Sequence, residues 1–252
     1  MTPDPVDLDR RIAFERVFNV RDLGGIPTSG GARVRSGLVF RADGVNRLDG
    51  DDLEVAKALG LRTVVDLRTH GEVEHRGRFP DEHIPVQWHH LPVLEQMWSE
   101  RDLEATDGAV AFLRDRYLDM LVEGGGSIAR TVELIAEEPP LLFHCSAGKD
   151  RTGVVAAVVL GLVGVAPEDI AADYHLSAAA MGAFTAWINT EFPEAIDAMS
   201  KQPKEYLEAP AEAMLEFLAE VQRVHGSMED LALQLGVAPA TITRLRSTLL
   251  EH

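Results

Sequence analysis

Apolar positions fall in two rhythms along this chain. Residues 34–40 and 61–67 are short runs of β-branched and apolar side chains bounded by turn residues, and they predict strands. Between them, residues 51–59 predict a helix, with acidic residues in the first turn and Gly60 just past the end. Residues 87–93 predict a further strand. Residues 95–126 are polar, with a helical rhythm over 109–121, and end in Gly124, Gly125 and Gly126. Those glycines read as a loop, with a hinge as the sharper alternative. Residues 127–137 predict a helix capped by Ser127 and stopped by Pro139 and Pro140. A buried strand follows at 141–144, then a helix over 151–164 whose small residues (Gly153, Ala156, Ala157, Gly161) signal close packing. From Pro167 on the pattern is helical, with breaks near Pro193, Pro203, Pro210 and Gly236. Strands alternating with helices, then a helical tail, predict an α/β fold with a parallel sheet and helical additions.

Composition narrows the partners. The chain has 252 residues, 46% of them hydrophobic, enough for one large domain or one domain with a helical appendage. Its formal charge of −17 excludes a general counterion-release affinity for nucleic acid and disfavours anionic membranes. The first residues have no apolar core of signal-peptide type, and the apolar stretch at 153–166 is too short to span a bilayer. The expected setting is cytoplasmic, with signal-less secretion open and no membrane insertion. One cysteine, Cys145, cannot form an internal disulfide. No zinc-like ligand spacing is present, so no metal and no cofactor are expected. His89 and His90 are adjacent on a strand and point to opposite faces. Gly148-Lys149 fails as a nucleotide loop, because Phe143 and Asp150 stand where glycine and Ser/Thr are needed.

The chemistry sits in Leu141-Leu142-Phe143-His144-Cys145-Ser146-Ala147-Gly148-Lys149-Asp150-Arg151-Thr152-Gly153. A buried strand enters a short loop that enters a helix. Backbone N–H groups of Ser146, Ala147, Gly148, Lys149, Asp150 and Arg151 can turn inward around an anion above the helix N-terminus. Gly148 permits close backbone approach. Arg151 can hold two phosphate oxygens with its planar fork. The same positive field favours a thiolate at Cys145, an in-line nucleophile beneath a bound phosphoryl group. Thr152 can donate toward the thiolate, and His144 can orient the loop.

This segment resembles the H-C-x-x-G-x-x-R-[ST]-G loop of the protein tyrosine phosphatase superfamily. Its Gly-Lys-Asp-Arg-Thr-Gly form is similar to that of the bacterial, PtpB-like branch of tyrosine and lipid phosphatases. Asn19-Val20-Arg21-Asp22-Leu23-Gly24-Gly25 and Val64-Val65-Asp66-Leu67-Arg68 resemble further segments of that branch. The resemblance implies one tyrosine-phosphatase-like domain over 1–252: a parallel sheet flanked by helices, lid segments near 95–126 and 167–200, and a helical part over 205–252. It implies Cys145 as nucleophile, Arg151 as phosphate clamp, and a phosphorylated protein or phosphoinositide as substrate. Lys149 in the loop hints at multiply charged substrates, or is simply a solvated lysine.

The general acid is open, because no W-P-D motif is present. Asp150, inside the cradle, is the first choice. Asp66, at the carboxyl end of a predicted strand, is the second, with an ion pair to Arg151 as its alternative role. Arg21 and Asp22 are expected to fix a tight turn by pairing with each other. Residues 231–250 faintly resemble a helix-turn-helix, but a packed helical cap fits the acidic chain better. Competing functions are a phospho-ligand-binding pseudo-phosphatase and a sulfur transferase or arsenate reductase on the same thiolate cradle.

Overall fold

Five strands form the central sheet: β1 (Arg21–Asp22), β3 (Val39–Ala42), β4 (Thr63–Asp66), β5 (Gln87–His90) and β6 (Leu141–His144), in the order β1-β3-β6-β4-β5. The computed structural model describes residues 10–95, 108–192 and 208–251. The first nine residues and the stretches 96–107 and 193–200 of the expected lid lie outside them. Strands β3, β6, β4 and β5 are parallel, and β1 pairs antiparallel at the edge. The period-2 rule divides the inner strands cleanly. Val39, Val65, Leu141 and Phe143 join the larger core, whereas Phe40, Val64 and Leu142 join the smaller one on the opposite face. Burial on both faces explains why these strands read as nearly continuous apolar runs.

The larger face carries the helices. These are α3 (Ala109–Glu123), α4 (Gly125–Glu137), α5 (Asp150–Leu162), α6 (Pro167–His175), α8 (Ala211–His225), α9 (Met228–Gln234) and α10 (Pro239–Leu249), while α7 (Ser177–Glu191) buries its apolar side chains in a separate small cluster. Two others, α1 (Asp51–Ala58) and α2 (His70–Arg76), follow β3 and β4. Helix α5 is buried along almost its whole length, which accounts for its lack of a polar face. Its Gly153 lies against the Tyr174 ring, where a Cβ would stand 2.9 Å from Cδ2. The last helices are part of the core: Leu231 of α9 and Ile242, Leu245 and Leu249 of α10 are buried there. Each such side chain is worth roughly 1.5–3 kcal/mol relative to exposure. The chain end closes the fold as β7 (Leu250–Glu251), paired with β2 (Arg33–Val34). No helix among the described residues is long and apolar enough to cross a membrane.

Three local expectations are corrected. The strand expected over 34–40 is two pieces, β2 and β3, separated by a turn through Gly37. Gly124–Gly126 is not a three-residue loop: Gly124 alone links α3 to α4, which begins at Gly125, so Ser127 is not its cap. A Cβ on Gly124 would stand 2.4 Å from the Val93 carbonyl oxygen, so close approach requires the glycine there. Helix α2 went unpredicted because its charged, seven-residue sequence has no apolar face.

The register places Ala42, His144, Asp66 and His90 side by side at the carboxyl ends of the parallel strands. Cys145 therefore emerges from a central strand at the edge where α/β sheets bind ligands.

Candidate active site

The loop after β6 is shaped by donors that take its carbonyls. His144 Nδ1–H donates to the Cys145 carbonyl (3.2 Å) and the Gly44 amide to that of Ser146 (3.0 Å). Asn19 Nδ2 donates to Ala147 (3.0 Å) and Arg41 Nη2 to Gly148 (2.9 Å). In a planar trans peptide the N–H points opposite the C=O. The amides of Ser146, Ala147, Gly148 and Lys149 are thereby turned to the concave side, above the N-terminus of the 13-residue α5. That is an anion-binding nest joined to a helix dipole. Gly148 has φ of 65°, and a Cβ there would lie 2.7 Å from the Ala42 carbonyl. Gly148→Ala should therefore cost about 2–4 kcal/mol from left-handed strain plus the clash. It should also weaken inhibition by inorganic phosphate. A thermal-shift series with phosphate checks both, and an unchanged midpoint would count against this packing.

Arg151 is held by a residue the sequence reading missed. Its Nη1 and Nη2 donate to Glu72 Oε2 (2.5 Å) and Oε1 (3.0 Å). Ser146 Oγ also donates to Glu72 Oε1 (2.6 Å). Burial alone would raise the Glu72 carboxyl, but the guanidinium outweighs it and holds the group far below the usual carboxylate range. Burial would lower the Arg151 pKa, but Cys145 and Glu72 raise it, so its charge is secure. Of five guanidinium N–H groups, Glu72 takes two and three remain for an anion. The same carboxylate accepts from the Thr69 amide, while Thr69 Oγ1 accepts from the Glu72 amide. Thr69-His70-Gly71-Glu72 is thus a capping box, and that pattern was the available signal for both α2 and Glu72.

The two candidate acids separate. Asp66 is fully buried and turned to Arg68, which reaches it through Nε (2.9 Å), Nη2 (2.6 Å) and its own amide (3.1 Å). The considered Asp66–Arg151 pair is absent because Glu72 occupies that place. A carboxylate shut in behind Arg68 is a structural ion pair, so Asp66 is corrected as an acid candidate. Asp150 is partly exposed at the first position of α5. Its Oδ1 accepts from Tyr117 (2.6 Å) and lies 3.3 Å from Lys149 Nζ. Lys149 is buried, not solvated. Thr152 Oγ1 is buried with no hydrogen-bond partner, a costly state that a thiolate or bound anion beside it would relieve.

Behind the loop lies a second charged cluster. Asp173 of α6 accepts from Arg10 (2.8 Å), Arg21 (3.1 Å) and Arg41 (2.7 Å). Burial raises the Asp173 carboxyl, but these three cations win and hold it well below the usual range. Burial and Arg41 lower Arg21 to about 9, still a cation at neutral pH. Arg21 also donates to Asn19 Oδ1 (2.5 Å), so Asp173 supports the loop carbonyls through Arg41 directly and through Arg21 and Asn19. The expected Arg21–Asp22 pair does not form. Asp22 instead accepts from the Gly24 and Gly37 amides.

One wall of the cradle is aromatic. Phe184, Met181 and Ile188 of α7 pack with Phe18, Trp187, Phe192 and Ala147 of the loop. Arg47 lies over Trp187 at 4.1 Å, and Arg76, whose Nη1 reaches Ser146 Oγ (3.3 Å), lies over Phe192 at 4.7 Å.

His144 gives the site an acid limit. Burial pushes its pKa down to about 4, against the pull of Asp66 3.5 Å away. An imidazole depressed in the folded state contributes stability that is fully present above its unfolded value. That stability is lost as pH falls from about 6.5 toward 4, by on the order of 3 kcal/mol. Urea unfolding at pH 7 and at pH 4.5 should show the loss, and a smaller one in His144→Asn. Equal losses would mean that other groups carry it.

Fold and site together define an α/β domain with a buried thiol at the base of an amide-and-arginine anion cradle. The model of the tyrosine phosphatase family matches residues 12–251, and the chain belongs to that family. A Cupriavidus necator protein, named provisionally as a tyrosine-protein phosphatase, is 37% identical over 172 residues, 65% of this chain and 61% of that one. The triple specificity protein phosphatase PtpB of Mycobacterium tuberculosis is 28% identical over 92% of this chain and 96% of its own length.

Proposed function

We propose that the protein hydrolyses phosphotyrosine monoesters through a phosphocysteine. The Cys145 thiolate attacks phosphorus, the P–O bond to the leaving group breaks, and an S–P bond forms. Protonated Asp150 gives its proton to the departing oxygen. Water then attacks phosphorus, Asp150 takes back a proton, and the thiolate and inorganic phosphate are released. Arg151 and the inward amides hold the equatorial oxygens throughout.

The observation that carries this reading is the row of loop carbonyls tied outward around a buried Cys145, with Arg151 fixed by Glu72. Only 2% of Cys145 is exposed, so a phosphate must be carried in on a group of some reach. The phenyl spacer of phosphotyrosine supplies that reach, and the wall of Phe18, Phe184 and Trp187 suits an aryl ring. Phosphoserine, phosphothreonine and phosphoinositides are secondary substrates in this reading, supported by the multiple specificity in the mycobacterial relative's name and by the basic side chains of Lys149 and Arg76.

The test is metal-free phosphate release, with chelator present, from a phosphotyrosine peptide, a phosphoserine peptide and a phosphoinositide. Acid quenching and mass spectrometry then look for phosphate on Cys145. Fastest release from phosphotyrosine, with the adduct trapped, is the expected result. Binding of all three without release would make the protein a phospho-ligand receptor instead.

A further inference from the structure

We propose that Tyr117 and Tyr174 are positioning residues for the proton-transfer step, forming a buried hydrogen-bonded chain that fixes which oxygen of Asp150 delivers the proton. The inference rests on Asp150 as the general acid. Tyr117 stands on α3 and Tyr174 on α6, so two helices outside the phosphate loop converge on its carboxylate. Tyr117 OH donates to Asp150 Oδ1 at 2.6 Å, and the two phenolic oxygens are 2.5 Å apart. Both rings are buried and meet edge to face at 6.0 Å, with Phe217 edge-on to Tyr117 at 6.1 Å.

The chain has one workable polarity while Asp150 is ionised. A carboxylate only accepts, so Tyr117 must donate to it, and Tyr174 must donate to Tyr117. Burial first, and then the neighbouring Asp150 carboxylate, keep both phenols protonated far beyond neutral pH, so this order does not vary with the medium. The Lys149 contact also falls on Oδ1. Oδ2 therefore remains as the oxygen that carries the transferable proton. A carboxyl with free rotation would offer either oxygen, and a misplaced proton donor loses rate steeply.

Position without direct contact to the reacting atoms makes a specific kinetic forecast. Protonation matters only when the leaving oxygen is a poor leaving group. In Tyr117→Phe, kcat on phenyl phosphate should fall about tenfold, while kcat on an aryl phosphate with a strongly acidic phenol stays near wild type. KM and inhibition by inorganic phosphate should not move. Tyr174→Phe, which removes only the far hydroxyl, should fall in the same direction by less, and it serves if Tyr117→Phe fails to fold.

Asp150→Asn is measured alongside on the same aryl phosphate series. If it steepens the leaving-group dependence and the tyrosine variants do not, the positioning role is overturned while the acid assignment stands. An equal loss on every leaving group in a tyrosine variant would show a merely structural role and overturn the proposal. Should Asp150→Asn itself leave the dependence unchanged, the acid assignment falls and the inference falls with it.

Discussion

Cys145→Ser should lower phosphate release from a phosphotyrosine peptide by roughly four to six orders of magnitude, while phosphate binding changes by no more than a factor of a few. The rate loss follows from replacing a sulfur nucleophile with a hydroxyl, whose far higher intrinsic pKa keeps it protonated at neutral pH. Binding should survive because the anion contacts come from elsewhere. The amides are aimed by Gly44, Asn19, Arg41 and the His144 ring, and Arg151 is aimed by Glu72. Phosphate release is read without metal, and phosphate or vanadate affinity by titration calorimetry on the variant. Turnover within a factor of ten of wild type would mean that another group is the nucleophile. Loss of both turnover and binding would mean that the sulfur also holds the loop together.

Asp173→Asn should be the most damaging substitution outside the phosphate loop, with a stability loss of about 3–5 kcal/mol at neutral pH. Asp173 is wholly buried among Arg10, Arg21 and Arg41, and an asparagine would leave three guanidiniums facing one neutral amide. Removing one partner of a buried ionic cluster costs more than the cluster contributes in net stability, because the remaining charge is stranded. Function should suffer as well. Arg41 holds the Gly148 carbonyl and Arg21 holds Asn19 on the Ala147 carbonyl, so phosphate inhibition should weaken in whatever fraction stays folded. Wild-type protein already carries this dependence. A depressed carboxylate contributes stability above its unfolded pKa, and that stability drains as pH falls below the usual aspartate range. Urea unfolding at pH 7 measures the main effect, and a loss under about 1 kcal/mol would show that the cluster is not the anchor described here.

Much of the catalytic loop was legible because its chemistry requires consecutive backbone groups. A phosphate cradle needs several adjacent amides, a residue free of Cβ clash at Gly148, and an arginine in the first turn of α5, so the spacing is written along the chain. Glu72, Asp173 and Tyr117 left no comparable trace. They lie 79, 22 and 28 positions from Arg151, Arg151 and Cys145 respectively, and only the folded sheet brings them to the loop. Asp66 shows the converse. Its place at the end of β4 was read well, but its partner Arg68 is two residues on, and that pairing removes it from the reaction. Gly124 misled for a related reason. A glycine reads as flexibility, whereas Val93, far away in the chain, decides that nothing larger fits.

The sequence by itself determined the candidate nucleophile, the candidate anion-binding loop and the α/β alternation, because each depends on neighbours along the chain or on a period-2 or period-3.6 pattern. Tertiary structure alone decided which carboxylate holds Arg151, which one is sealed in an ion pair, and which groups orient Asp150. Those choices turn on distances of about 3 Å between side chains, some far apart in the chain and some, as with Asp66 and Arg68, close in it, and hydrogen bonds and ion pairs of that kind carry no fixed spacing.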